Sequence, residues 1–331
     1  MKIAIVKLSA LGDIVHAMIV LQFIKKYNQE IEIDWIVEER YKELLEFHPE
    51  INKVHVINIK KAKQKKSIYL FLSELYKLRK LGSYDLVIDM QGLIKSALIA
   101  RLIPSKTTLG FNKSSIRESF ASIFYSKTFD YGYDKNVIER NFEIVKFALN
   151  VPYNFEDVKY KLPFLYFQKK YSNLAISNNK TNIILIPGAS FSSKRYPVKN
   201  FAELTYSLDA NYIIVWGNDE EKLLANKIKN LAPHVNICKK LSIESLIYLI
   251  SQADLIIGPD SGPTHMGWAL NVPSITLFGS TPGHRNSLVT NDNKIIESNS
   301  DVNPYRINKN DNSIKDIKVE AIVKIARSLL P

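Results

Sequence analysis

Short apolar runs alternate with helical patterns along this chain at the spacing of βαβ units, and that alternation leaves few folds open. KIAIVK (2–7) reads as a strand, Leu8-Ser9-Ala10-Leu11-Gly12-Asp13 as a loop, and 14–26 as a helix. The same grammar continues with strands at 31–37, 53–59 and 85–90 and helices at 40–47, 68–81 and 94–102. A further strand is expected at 107–111 and helices at 114–124 and 136–149, the last with Arg140 and Lys146 facing solvent. Periodicity lapses across 151–180, where Pro, Asn and aromatic residues mix, which marks a linker. The alternation then resumes with strands at 182–186, 212–216, 235–238, 253–258 and 273–279. Its helices fall at 198–208, 219–230, 243–252 and 264–270; an Asn-rich loop covers 298–313, and an amphipathic helix closes the chain at 317–330. The expected architecture is α/β, with two Rossmann-like doubly wound domains (1–165 and 166–331) facing each other across a cleft, each binding ligands at the carboxyl ends of its strands. A length of 331 residues suits two such domains.

Composition narrows the setting. No apolar run approaches the ~20 residues that span a bilayer, and MKIAIVKLSALGD turns polar too soon for a signal peptide. The single Cys238 excludes an internal disulfide and a cysteine-based zinc site. These features predict a cytosolic protein. The net charge is +12, of which residues 1–170, with 28 Lys/Arg against 19 Asp/Glu, hold +9. The densest run is Lys60, Lys61, Lys63, Lys65 and Lys66, which suits a polyanion or an anionic membrane surface, or is a solvated loop. A basic nucleic-acid-binding protein is disfavoured, because the excess sits mainly in one loop and no nucleic-acid motif is present.

Neither G-x-G-x-x-G nor G-x-x-x-x-G-K-S/T occurs anywhere, which weighs against a dehydrogenase, an ATPase or a dinucleotide-dependent epimerase. The chemistry must lie elsewhere. In the first loop Gly12 can bring backbone close to a ligand, and Asp13 is placed either as a general base or as the N-cap of the next helix. His16, one turn on, could reach the same place. In the second half, 187–197 offers Gly188, Ser190, Ser192, Ser193, Lys194 and Arg195, a set suited to a diphosphate whose leaving-group charge Lys194 would neutralise. Asp219, Glu220 and Glu221 either favour a helix N-terminus or supply an acceptor to sugar hydroxyls. Asp260-Ser261-Gly262-Pro263 before Thr264 and His265 is either a well-capped βα turn or a helix start that holds phosphate.

Taken in order, KLSALGDIVHA (7–17), DLVIDMQGLIKSAL (85–98), IRESFASIFY (116–125), VIER (137–140), PGASFSSKRYP (187–197), WGNDEE (216–221) and GPDSGPTHMGWAL (258–270) resemble the ADP-heptose:lipopolysaccharide heptosyltransferases of glycosyltransferase family 9, which have the GT-B fold. The LGDIVH loop and the lysine run are most similar to the heptosyltransferase I branch. The resemblance implies an inverting transfer of L-glycero-D-manno-heptose from ADP-heptose to Kdo of Kdo-lipid A, in lipopolysaccharide inner-core synthesis. A heptosyltransferase II-type or other GT-B transferase with a different acceptor sugar is the alternative. It also implies roles. Asp13 and Lys194 are catalytic, as base and diphosphate partner. Ser190, Lys194, Glu221 (one residue of register from Glu220), Asp260, Ser261, Gly262, Thr264 and His265 bind the donor. Gly12, His16, Lys60, Lys61, Lys63, Lys65, Lys66 and Arg117 bind the acceptor. The first domain would take the acceptor and the second the ADP-sugar, with the last helix packing back on the first. No metal or other cofactor is expected, and no nucleic acid. The enzyme would work as a monomer, peripheral on the cytoplasmic face of the inner membrane.

Overall fold

The computed structural model describes residues 1–58, 64–172 and 174–330. The chain divides into two compact units, Met1–Phe164 and Leu165–Pro331. In the first, the strands are β1 (Lys2–Val6), β2 (Glu32–Glu38), β3 (Lys53–Ile57), β4 (Tyr84–Asp89), β5 (Ser105–Phe111) and β6 (Lys127–Phe129). Its helices are α1 (Leu11–Met18), α2 (Val20–Tyr27), α3 (Ile68–Arg79), α4 (Ile94–Leu102) and α5 (Val137–Leu149). The strands are parallel, in the order β3-β2-β1-β4-β5-β6. Both faces are covered, so a central strand such as β1 is continuously apolar and buried from Ile3 to Val6 rather than alternating.

The second unit contains β7 (Asn182–Leu185), β8 (Asn211–Ile214), β9 (Asn236–Ile237), β10 (Leu255–Pro259), β11 (Ser274–Phe278) and β12 (Asn293–Glu297). Its helices are α6 (Val198–Leu204), α7 (Asp219–Leu231), α8 (Ile243–Ser251), α9 (Gly262–Ala269), α10 (Gly283–Asn286) and α11 (Val319–Leu329). The strand order, β12-β11-β10-β7-β8-β9, is that of the first sheet. Each sheet therefore reverses direction beside its own first strand, between β1 and β4 and between β7 and β10. Ligands of doubly wound sheets bind outside the carboxyl ends of strands at such a reversal. The closing helix α11 packs on α6 and β11, within the second unit, and buries Ile322 and Ala326 in that unit's core.

Three expectations need correction. Residues 114–118 form turns, and only Ser119–Phe124 winds up, as a 3-10 helix. The Asn112 side chain accepts from the Ser115 N–H at 3.0 Å, and the Ser115 hydroxyl donates to Asp130 at 2.7 Å, so local side chains compete with the helix. Arg140 is buried rather than exposed. Its guanidinium donates to the carbonyls of Tyr131 and Gly132, both at 2.5 Å, and of Ser115 at 2.7 Å. The edge strands β6 and β12 were not anticipated: one has three residues, and the other lies among asparagines. No described helix is long and apolar enough to cross a membrane.

Candidate active site

In the first unit the loop after β1 is built from across the reversal point. Gln91, just past β4, accepts from the backbone N–H groups of Leu8 and Ser9 at 2.7 and 3.3 Å through its side-chain oxygen. Lys7 donates to the Met90 carbonyl at 2.9 Å. Gln91 is itself held: its backbone N–H donates to Asp89, which also accepts from Ser96 and Tyr125. Burial raises the Asp89 pKa against those bonds. Gly92, with φ +69, occupies the left-handed region that favours glycine, and an added Cβ would meet Ile116 at 2.6 Å.

This frame sets the start of α1 at Leu11, three residues earlier than the periodicity predicts. Asp13 is thus the third helical residue and not the N-cap; its carboxylate accepts from the Ala10 N–H at 3.1 Å and is exposed. Gly12 is half-buried beside it. His16 is buried, 3% exposed, as are its chain neighbours Ile14, Val15, Ala17 and Met18. Around the same strand ends, Glu38 holds Lys95 at 2.5 Å and Arg40 at 3.0 Å. Burial, with Glu38 and Asp13 adding to it against Arg40, raises the pKa of the Tyr41 phenol. Arg117 is exposed before the 119–124 turn, and Lys65 and Lys66 are exposed ahead of α3. Lys60, Lys61 and Lys63 lie outside the described residues.

The second unit gathers its candidates more tightly. Lys194, at the end of a 3-10 turn after β7, is nearly buried and donates to Asp260 at 2.7 Å. Asp260, just past β10, also takes His265 at 2.8 Å, Thr281 at 2.9 Å and Asn286 at 3.2 Å. Burial opposes its ionisation, yet Lys194 and His265 hold its carboxyl well below the usual range. The carboxylate therefore ties the Lys194 turn, α9 through His265, the Thr281 loop and α10 together, without capping the start of α9. Nor does Ser261 cap it: its hydroxyl meets Thr264 at 3.1 Å, and Thr264 donates to the Pro259 carbonyl. Pro263 is the second helical residue, after Gly262. The first-turn N–H groups of α9, which exclude that of Pro263, have no intrahelical partner. Such groups beside the Lys194 ammonium are chemically suited to an anion such as a diphosphate.

The two acidic neighbours at the start of α7 separate. Glu220 forms a two-bond pair with Arg195 at 2.5 and 2.8 Å on the surface. Glu221 turns inward over the loop after β7 and accepts from the Gly217 N–H at 2.7 Å. A Cβ on residue 188 would lie 2.4 Å from its carboxyl carbon, so only glycine lets that side chain lie there. Ser190 is exposed in the same loop. Direct bonds thus join Lys194, Asp260 and His265, while Glu221 adjoins Gly188, and Ser261, Gly262 and Thr264 form the helix start. Gln91, Thr281 and Asn286 also build these sites; the only sequence signal for them is a polar residue shortly after a predicted strand. Among the described residues no three His, Cys, Asp or Glu side chains converge as a metal site requires.

The two units have the fold of a GT-B glycosyltransferase. The Escherichia coli heptosyltransferase WaaC solved with ADP superposes with a TM-score of 0.81 over 99% of this chain and 100% of that one, at 21% identity. The family described as glycosyltransferase family 9 (heptosyltransferase) matches residues 75–315. The lipopolysaccharide heptosyltransferase 1 of Campylobacter coli is 38% identical over 99% of each chain. That of Pseudomonas aeruginosa is 27% identical, over 86% of this chain and 80% of the other. The chain belongs to glycosyltransferase family 9, and it is a glycosyltransferase of the heptosyltransferase kind.

Proposed function

We propose that this enzyme transfers L-glycero-D-manno-heptose from ADP-heptose to a hydroxyl of Kdo in Kdo-lipid A, inverting the anomeric centre. The observation that carries the donor half is the buried Lys194–Asp260 pair beside the uncapped start of α9. Full-length similarity to a lipopolysaccharide heptosyltransferase 1 supports the acceptor. Asp13 takes the proton of the acceptor hydroxyl as its oxygen bonds to the anomeric carbon. The bond from that carbon to the diphosphate breaks, and ADP departs with the electron pair. Lys194 and the α9 amides receive the developing charge in place of a metal ion. Glu221 accepts from donor hydroxyls, with Ser190 beside it; Lys65, Lys66 and Arg117 meet the acidic acceptor. The enzyme acts as a monomer, peripheral on the cytoplasmic face of the inner membrane.

The test is ADP release by the purified protein from ADP-heptose and Kdo-lipid A, with and without a chelator. Turnover should survive chelation, and Asp13→Ala should lower kcat by about 10²–10⁴ with the fold intact. Near-normal turnover by that variant would remove Asp13 as the base. Transfer only to an acceptor that already carries heptose would overturn the Kdo assignment.

A further inference from the structure

Helices α3 and α4 and the 119–124 turn form a layer over one face of the first sheet, α3 against α4 and α4 against the turn. Leu78 of α3 and Ile99 and Ala100 of α4 face inward to the sheet. The outer side of this layer is unexpectedly apolar. Ile68, Tyr69, Leu72 and Tyr76 of α3 are between 55% and 77% exposed. Tyr69, Leu72 and Tyr76, spaced by three and four residues, lie along one helical stripe. Phe120 and Ile123 on the neighbouring turn are also exposed. Single exposed apolar residues are ordinary, whereas a stripe opposite a helix's own buried face marks a surface that something covers.

The charges around the stripe say what covers it. Lys65, Lys66, Lys77, Arg79 and Lys80 are exposed, against a single acidic side chain within 64–81. That side chain, Glu74, is turned inward, where it accepts from the Asn58 N–H and pairs with Lys77. Lys80 reaches over the Tyr76 ring at 4.6 Å. Tyrosine and aliphatic side chains bordered by ammonium groups suit the boundary between acyl chains and anionic headgroups, where the rings bury their bodies and keep their hydroxyls wet.

We propose that the Tyr69–Leu72–Tyr76 stripe, flanked by Lys65, Lys66 and Lys80, inserts into an anionic phospholipid surface, with α3 lying in the headgroup plane. This deepens the transferase reading, on which its purpose rests, by naming the surface that brings the enzyme to a lipid-embedded acceptor. The test is flotation of the full chain with vesicles of phosphatidylethanolamine and phosphatidylglycerol, compared with phosphatidylcholine alone. Wild type should partition onto the anionic vesicles. Tyr69→Ser/Leu72→Ser/Tyr76→Ser should weaken that partition by about tenfold or more, while leaving turnover of a water-soluble, deacylated acceptor unchanged. Leu72→Trp supplies a second reading: its emission should be quenched by brominated acyl chains. Unchanged partition of the triple variant, or no quenching, overturns the proposal, as does a wild-type dimer abolished by the same substitutions. Vesicle binding without any heptosyl transfer would instead refute the transferase reading and leave the lipid surface standing.

Discussion

Asp260 changes how the donor residues are understood. In sequence it is one more polar residue of a βα turn; in the fold it is a buried anion with four partners, Lys194 among them. Lys194 and His265 hold its pKa well below the usual carboxylate range against the effect of burial, so the carboxylate stays ionised throughout the neutral region. Lys194→Ala should raise the donor KM and lower kcat by about 10²–10³. Asp260→Asn keeps the ammonium but loosens it, so kcat should fall with little change in donor KM. Steady-state kinetics in ADP-heptose decide this, and identical effects of the two substitutions would rule out the tether. At the neighbouring acidic pair, Glu221→Gln should raise the donor KM by about tenfold, the loss of roughly one hydrogen bond to a charged group. Glu220→Gln, which breaks only a surface pair with Arg195, should leave it nearly unchanged.

The departures from expectation among the elements share one cause, which is polar side chains bonding across loops. The stretch 114–124 is helix-like in composition, but Asn112, Ser115 and Asp130 bond to one another, and Arg140 from α5 pins the Ser115 carbonyl. Arg140 also stacks on Phe111 at 4.2 Å, which explains why a long basic side chain is buried here. Arg140→Ala removes the guanidinium from three backbone carbonyls, of which Gly132 keeps a bond from the Lys135 N–H, and should lower stability by about 2–4 kcal/mol. Arg140→Lys should recover little, because one ammonium cannot reproduce the fork. Urea unfolding of both variants measures this; a loss below about 0.5 kcal/mol would show that the guanidinium is not needed.

The whole molecule repeats one topology in two units, each with a core of its own and a reversal point beside its first strand. Stability also has a titratable component in the first unit. His48, just past the 3-10 turn Glu39–Leu44, is buried, and burial drives its pKa down to about 3 from 6.5. The Glu50 N–H donates to its Nδ1 at 3.3 Å, as a neutral ring allows. Because the folded pKa lies below the unfolded one, the unfolded chain binds the proton first. Stability should therefore fall as pH drops from about 6.5 toward 3, with a slope approaching about 1.4 kcal/mol per pH unit. His48→Gln should flatten that part of the curve in denaturant titrations across pH. A parallel pH dependence in the variant would assign the loss to other groups.

The periodicity of apolar residues determined the fold class and the position of most strands and helices to within a few residues, because helix and strand each impose their own spacing on whatever must be buried. It also placed Asp13, the Lys194 loop and the Asp260 turn just past strand ends, where a parallel sheet offers its ligand sites. Tertiary structure decided the rest. The start of α1, the burial of Arg140 and His16, and the short edge strands β6 and β12 depend on partners distant in sequence, which no local pattern encodes. The choice between Glu220 and Glu221 was open in the sequence, since adjacent residues share the same composition and nearly the same position. The folded chain separates their surroundings, Glu220 pairing with Arg195 and Glu221 lying beside Gly188. Gln91 and Asn286 entered the site for the same reason: their hydrogen bonds close between loops after neighbouring strands, Gln91 across the first sheet's reversal point, and only the folded chain brings those segments together.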